Sequence, residues 1–167
     1  ETAGLAINVA RTGHLGLSTL HTSSAAGALP RLLDMKVEPF LIASTVTAII
    51  SQRLVRRMCE EQEAYRLSAG ELAVLKKDSD FDRVVGVLRE EKAISKKIVS
   101  EEIECGRPKK SDQCLDGYKG RIGIHEVLEM SSGIRQLIIK NATSEEIEEE
   151  ARREGMRTMR ESGFMRA

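Results

Sequence analysis

The run "FLIASTVTAII", residues 40–50, sets the first limit on how this chain can fold. It is the most apolar window of the sequence, yet it has only eleven residues and includes Ser44, Thr45 and Thr47. A membrane-crossing helix needs roughly 20 predominantly apolar residues, so this run is expected to be a helix buried inside a folded domain. Pro39 suits a first helical turn, and the pattern predicts one helix over "VEPFLIASTVTAIISQRL". The 167 residues around it suffice for one domain, or two small ones, with a real core.

The surface of such a domain would be electrically balanced: 26 basic and 26 acidic side chains give a formal net charge of zero. A general polyanion binder carries a basic excess, so nucleic acid is not an expected partner. Aromatic residues are 3% of the chain and Trp is absent, which suits a helix-rich protein with a core of Leu, Ile, Val, Ala and Met. The first residue is Glu, and no charged-then-apolar leader follows, so no secretory signal is expected. The absence of an initial Met points to an internal or C-terminal piece of a longer protein. The three cysteines, Cys59, Cys105 and Cys114, are odd in number and irregular in spacing. They are read as reduced thiols in a reducing cytosol rather than as a disulfide framework.

Along the chain, "ETAGLAINVARTG" reads as an amphipathic helix, with Leu5, Ala6, Val9 and Ala10 at helical spacing and Gly13 as its C-cap. "LGLSTLHT" then switches to alternation and predicts a strand. "SSAAGALPRLLDM" predicts a helix bent or restarted at Pro30, and "RLVRRMC" a strand. Two charged-surface helices follow: one is signalled by Ser68 and Glu71 as a capping box, the other has Phe81, Val84, Val85 and Leu88 on one face. "ECGRPKKSDQCLDG" reads as a loop and "YKGRIGIHEVLEM" as a strand with Ile122, Ile124 and Glu126 on one face. The tail reads as helices over "SSGIRQLIIKN", over "TSEEIEEEARREG" with Thr143 and Glu146 as a second capping box, and over "MRTMRESGFMRA" with Met156 and Met159 inward. There is no internal repeat, and no GxxxxGK[ST] phosphate loop occurs anywhere.

Three groups of residues carry possible chemistry. His14 and His21 flank the expected strand, which would hold them about two dozen Å apart. That excludes a shared metal ion and a directly bonded catalytic pair. Two readings stay open: either histidine bonds backbone groups near the end of a buried strand, or His21, followed by Thr22, faces a ligand crevice at a strand's carboxyl end. The cysteines lack the paired Cys-x-x-Cys spacing of a zinc site: Gln62 stands three residues after Cys59, and Ser111 three before Cys114. Cys59, Cys105 and Cys114 could be assembled with His125 only on paper, and no metal is expected. "QRLVRR" gathers Arg53, Arg56 and Arg57; as a strand it would place Arg53 and Arg57 on one face, where an arginine could meet phosphate, while the plain alternative is a solvated face.

Taken together, "ETAGLAINVARTGHLGLSTLHT", "ALPRLLDMKVEPFLIASTVTAIISQRLVRRMC", "GYKGRIGIHEVLEM" and "EGMRTMRESG" closely resemble the C-terminal half of the secretion ATPases, the motors of type II secretion and type IV pilus assembly. The resemblance spans nearly all the chain except about residues 62–104. It implies an α/β fold: the C-terminal part of a RecA-like P-loop NTPase core, then a mainly helical C-terminal domain with a small β insertion. On that pattern residues 1–60 belong to the ATPase core, 61–117 are a helical insertion replacing a zinc-knuckle region, and 118–167 are a β segment plus the helical domain. The chain would start near the end of the Walker B segment, and Glu1 is not the family's catalytic glutamate.

The resemblance also implies roles. "TGHLGLSTLHT" is similar to the family's histidine box, with His14 and His21 as its two histidines and Thr19 and Thr22 beside the second. Such a box senses the nucleotide's terminal phosphate and couples hydrolysis to domain movement; Thr22 and Arg53 are the expected nucleotide contacts. In the whole protein the implied cofactors are ATP and Mg2+, and the implied partners are further copies in a hexameric ring and an inner-membrane platform protein. The implied location is the cytoplasm, peripheral to the inner face of the cell membrane. Many members carry two Cys-x-x-Cys knuckles where Gln62 and Ser111 stand here, so zinc is not expected, and the "FDRVVGVLREEKAI" helix is expected to supply the local support instead. One rival reading is a short regulatory module that binds a full-length ring; coding sequence upstream of Glu1 separates it from a motor fragment. A second rival, a zinc-supported nucleic-acid binder, predicts bound metal and salt-sensitive DNA binding.

Overall fold

The computed structural model describes residues 2–78, 80–90, 92, 94–95, 103–112 and 114–166. Glu1 lies outside them, as does the stretch 96–102. The chain divides into two compact units, Glu1–Gln52 with His125–Thr158, and Arg53–Ile124 with Met159–Ala167.

The first unit is built on helices α1 (Thr2–Arg11), α2 (Ala25–Asp34), α3 (Pro39–Thr45), α6 (Ser132–Ile139) and α7 (Ser144–Arg153). Their apolar faces meet in one core, in which Leu29, Ile42, Leu128, Ile134, Ile138 and Ile147 are essentially fully buried. The N-termini are set by side chains that satisfy orphan amides: Ser24 accepts from Gly27 N, Ser131 from Ile134 N, and Thr143 with Glu146 forms a reciprocal capping box. Three C-termini share one lock. After α2, α6 and α7 a residue takes positive φ (Lys36, Asn141 and Gly155), and the next amide bonds back to the carbonyl of Leu32, Leu137 or Ala151. This reversal turns Val37, Ala142 and Met156 back towards the core. Asn141 and Gly155 tolerate that conformation; Lys36 adopts it at a cost of about 1 kcal/mol.

Several expectations need correcting here. The inward residues of α1 are Ala3 and Ile7, whereas Leu5 and Val9 are exposed. Helix α2 runs through Pro30 without restarting. Helix α3 stops at Thr45, and the chain becomes strand β1 (Ala48–Met58), so the predicted helix over residues 37–54 is really a short helix and a strand. The reason is local: Val46, Thr47, Ile49 and Ile50 are β-branched, lose side-chain freedom in a helix and suit a pleated ribbon.

Strand β1 pairs with β4 (Tyr118–Glu129). Met130 N bonds Thr47 O at one end and Cys59 N bonds Gly117 O at the other, so the strands run antiparallel. The alternation read from "YKGRIGIHEVLEM" is present, with Glu126 and Leu128 buried and His125, Val127 and Glu129 exposed.

The second unit contains β2 (Gln62–Arg66), α4 (Ala69–Asp78), α5 (Phe81–Glu90), β3 (Glu104–Pro108) and α8 (Met159–Phe164). Strand β3 corrects the expected loop over 104–117, and its antiparallel partner β2 was not foreseen; the register runs from Gln62 opposite Pro108 to Arg66 opposite Glu104. Four of the five residues of β2 are exposed, which left no apolar alternation to read. Leu72, Phe81, Val85 and Ile103 form a separate apolar core, and the Phe164 ring meets Phe81 edge-on. The Ser68 and Glu71 capping box is present: Ser68 N donates to Glu71 Oε2 at 2.9 Å, and Glu71 N donates to Ser68 Oγ at 3.3 Å. Hydrogen bonds from Ser68 and from the Tyr65 hydroxyl hold the Glu71 carboxyl at about 2.

Candidate functional site

The two histidines lie on the connection between α1 and α2. Gly13, at φ +92°, ends α1 in a conformation that a residue with a side chain rarely adopts. Thr12 Oγ1 donates to Val9 O at 2.7 Å and lies 3.0 Å from His14 Nδ1. The threonine hydroxyl has a single proton, already committed to Val9, so the imidazole is assigned as the donor through Nδ1. In the neutral ring this leaves Nε2 as the acceptor nitrogen.

Residues 14–22 do not form the expected strand. Among the described residues β1 pairs with β4 and β2 with β3, and this segment joins neither ladder. Leu15 and Leu17 are 92% and 94% exposed, and both histidines and Thr19 are exposed too. A strand is stable only when a neighbour takes its amides and carbonyls and one of its faces is covered. The reading of His14 or His21 as a histidine at the end of a buried strand is therefore corrected.

Beyond His21 the backbone tightens into α2. Thr22 Oγ1 donates to Ser24 O at 3.1 Å, and Ser24 caps the helix through Gly27 N. The next amide, Ala25 N, donates to Glu126 Oε1 at 2.5 Å. Glu126 is 7% exposed, so a carboxylate from β4 sits buried against the amino end of α2, where the helix dipole favours negative charge. Thr22, Ser24, Ala25 and Glu126 thus form one hydrogen-bonded group three residues past the Thr19 hydroxyl, next to His21 in the chain. Glu126 was read only as one of a strand face. The signal was a charged residue at an inward position among isoleucines, which demands a partner.

Arg53 is exposed on β1 and belongs to the second unit. Arg56 is already engaged, with its guanidinium 3.8 Å over the Tyr118 ring and 3.5 Å from Asp116.

The cysteines overturn the expectation of reduced thiols. Cys59 and Cys114 form a disulfide, with Cα atoms 6.7 Å apart, while Cys105 keeps a free thiol whose pKa burial raises. Gln62 donates its amide to Cys59 O, and Ser111 and Cys114 exchange backbone bonds. The two incomplete knuckles therefore meet in space. They do not fit the family's zinc: two of the four ligand positions are an amide and a hydroxyl, and the two sulfurs are bonded to each other.

No helix among the described residues is long and apolar enough to cross a membrane. The family described as "Type II/IV secretion system protein" matches residues 1–167. The chain is 38% identical over 170 residues to the type IV pilus assembly ATPase PilB of Pseudomonas aeruginosa, which matches all of this chain and 26% of that protein. It is 40% identical to PilB of Thermus thermophilus, covering 17% of it, and 40% identical to the type II secretion system protein E of Xanthomonas campestris, covering 27% of it. The chain thus spans between about a sixth and a quarter of these relatives, each of which it matches along its whole length. With its mixed helix and strand and a match from end to end, the chain belongs to the type II/IV secretion system protein family.

Proposed function

We propose that the chain is the part of a motor ATPase that follows the phosphate loop and Walker B segment, and that the whole protein hydrolyses ATP to drive type IV pilus assembly or type II protein secretion. Residues 1–60 would complete a RecA-like core, 61–117 form the insertion and 118–167 the C-terminal domain. The observation that carries this reading is the match of the whole chain to part of type IV pilus assembly ATPases and of a type II secretion system protein E, at 38–40% identity.

In this reading ATP and Mg2+ occupy a site whose phosphate-holding residues lie elsewhere in the whole protein. The residues of this chain would contact the terminal phosphate. His21 would donate a hydrogen bond to a γ-phosphate oxygen and lose that partner on hydrolysis, which makes it a switch rather than a nucleophile. His14, held through Nδ1 by Thr12, would be the second histidine of the box, with Thr22 and Arg53 as nucleotide contacts. Because the α1–α2 connection runs straight into α2, a pull on His21 would be transmitted through Thr22 and Ser24 to the helix that Glu126 anchors. The working assembly is a hexameric ring of this protein on an inner-membrane platform protein, at the cytoplasmic face.

The test is His21→Ala in the whole protein, with hydrolysis and binding measured separately. Turnover is expected to fall at least 10-fold while affinity for a fluorescent ATP analogue changes less than about 3-fold, as for an interaction made on the reaction path rather than in binding. Equal loss of both would overturn the sensor role. The 167-residue chain alone, which has no phosphate loop, is expected to show no turnover.

A further inference from the structure

We propose that Cys59 and Cys114 are a reversible redox staple, closing and opening the base of the segment between them according to the thiol–disulfide balance around the protein. Three observations carry this. First, the two cysteines are 55 residues apart in sequence and joined in space. Second, their surroundings keep them together without the covalent bond. Cys59 N donates to Gly117 O at 3.0 Å, Gly117 N to Cys114 O at 3.1 Å, and Ser111 and Cys114 exchange two backbone bonds at 3.0 Å. The reduced thiols would therefore stay neighbours at high effective concentration, so that the bond recloses within the molecule. Third, that segment has an apolar core of its own, Leu72, Phe81, Val85 and Ile103, so opening the staple need not unfold it.

Exchange would enter at Cys59, which is half-buried, because Cys114 is only 6% exposed. Closing consumes one low-molecular-weight disulfide of the glutathione class. A Cys59 thiolate attacks it and expels one thiol; the Cys114 thiolate then attacks the mixed disulfide and expels the second. Two protein sulfurs are oxidised, two reagent sulfurs are reduced, and the two protons leave on the released thiols. The proposal depends on the reading above only for a reducing compartment, where a disulfide is regulatory rather than permanent. The titration below does not depend on nucleotide, so failure of the motor reading would leave its result intact.

The purified protein is equilibrated in buffers of graded reduced-to-oxidised glutathione ratio, quenched with acid, denatured and labelled with a maleimide that adds mass. Within residues 1–167, one label is expected in oxidising buffer, on Cys105, and three in reducing buffer, with the change reversible and both new labels on Cys59 and Cys114. Cys59→Ser should carry two labels in every buffer. Brief trypsin digestion reports the conformational consequence: cleavage at the exposed Lys109 and Lys110 is expected to be about 10-fold faster in the reduced protein, and equally fast in Cys59→Ser whatever the buffer. Three labels in every buffer would overturn the proposal, as would one label that persists in fully reducing buffer. Equal cleavage in both states would overturn the claim that the bond restrains the segment.

Discussion

Replacing Glu126 tests how firmly the end of the histidine connection is anchored. In Glu126→Ala the buried Ala25 amide loses its carboxylate acceptor, which sits 2.5 Å away. An unsatisfied buried donor costs about 1–3 kcal/mol. Losing a negative charge at a partly buried helix N-terminus adds up to about 1–2 kcal/mol. Against this, the variant no longer desolvates a carboxylate that is 7% exposed, and that relief offsets part of the loss. The expected net destabilisation is about 2 kcal/mol. Glu126→Gln keeps an acceptor of the same shape and loses only the charge, so it should cost about 1 kcal/mol. The amide of Ala25 is the local reporter. A loss of about 2 kcal/mol should speed its hydrogen exchange roughly 30-fold by NMR, with smaller effects on amides of the second unit. If Glu126→Ala leaves Ala25 exchange within about 2-fold of the parent, or if Glu126→Gln is the worse variant, the bond does not anchor α2 and the reasoning fails.

Two further outcomes follow from the capping chemistry. Thr143→Ala removes one half of the α7 capping box and should lower stability by about 1 kcal/mol, read from the urea midpoint; Thr143→Ser, which keeps the hydroxyl, should recover most of it. Glu71 is held at about 2, well below the ordinary carboxylate value, so its bonds to Ser68 and Tyr65 stabilise the fold in full above the unfolded value. That contribution fades as pH falls below the unfolded value towards about 2, and carboxyl titration by NMR that places the Glu71 midpoint at the ordinary value would refute it.

The sequence by itself determined whatever rests on neighbours a few residues apart. Both capping boxes and the alternation of β4 were legible because each is written within about one turn of helix or one strand of chain. The family resemblance was legible for the same reason, since it rests on short runs in order. Tertiary structure alone decided the rest. "LGLSTLHT" has the pattern of a strand, but a strand exists only where another offers its edge, and no pairing among the described residues includes residues 14–22. Helix α3 yields to β1 after Thr45 because β4, from more than 70 residues further on, supplies the ladder. Spacing argued against a disulfide, yet Cys59 and Cys114 meet because the same ribbon brings Gly117 to the Cys59 amide. Glu126 and Ala25 lie 101 residues apart, and the bond between them arises only when β4 passes the end of α2. Caps and alternation are stabilised by contacts inside the segment that carries them, whereas ladders, disulfides and buried ion–helix contacts draw their energy from a partner that local sequence does not identify.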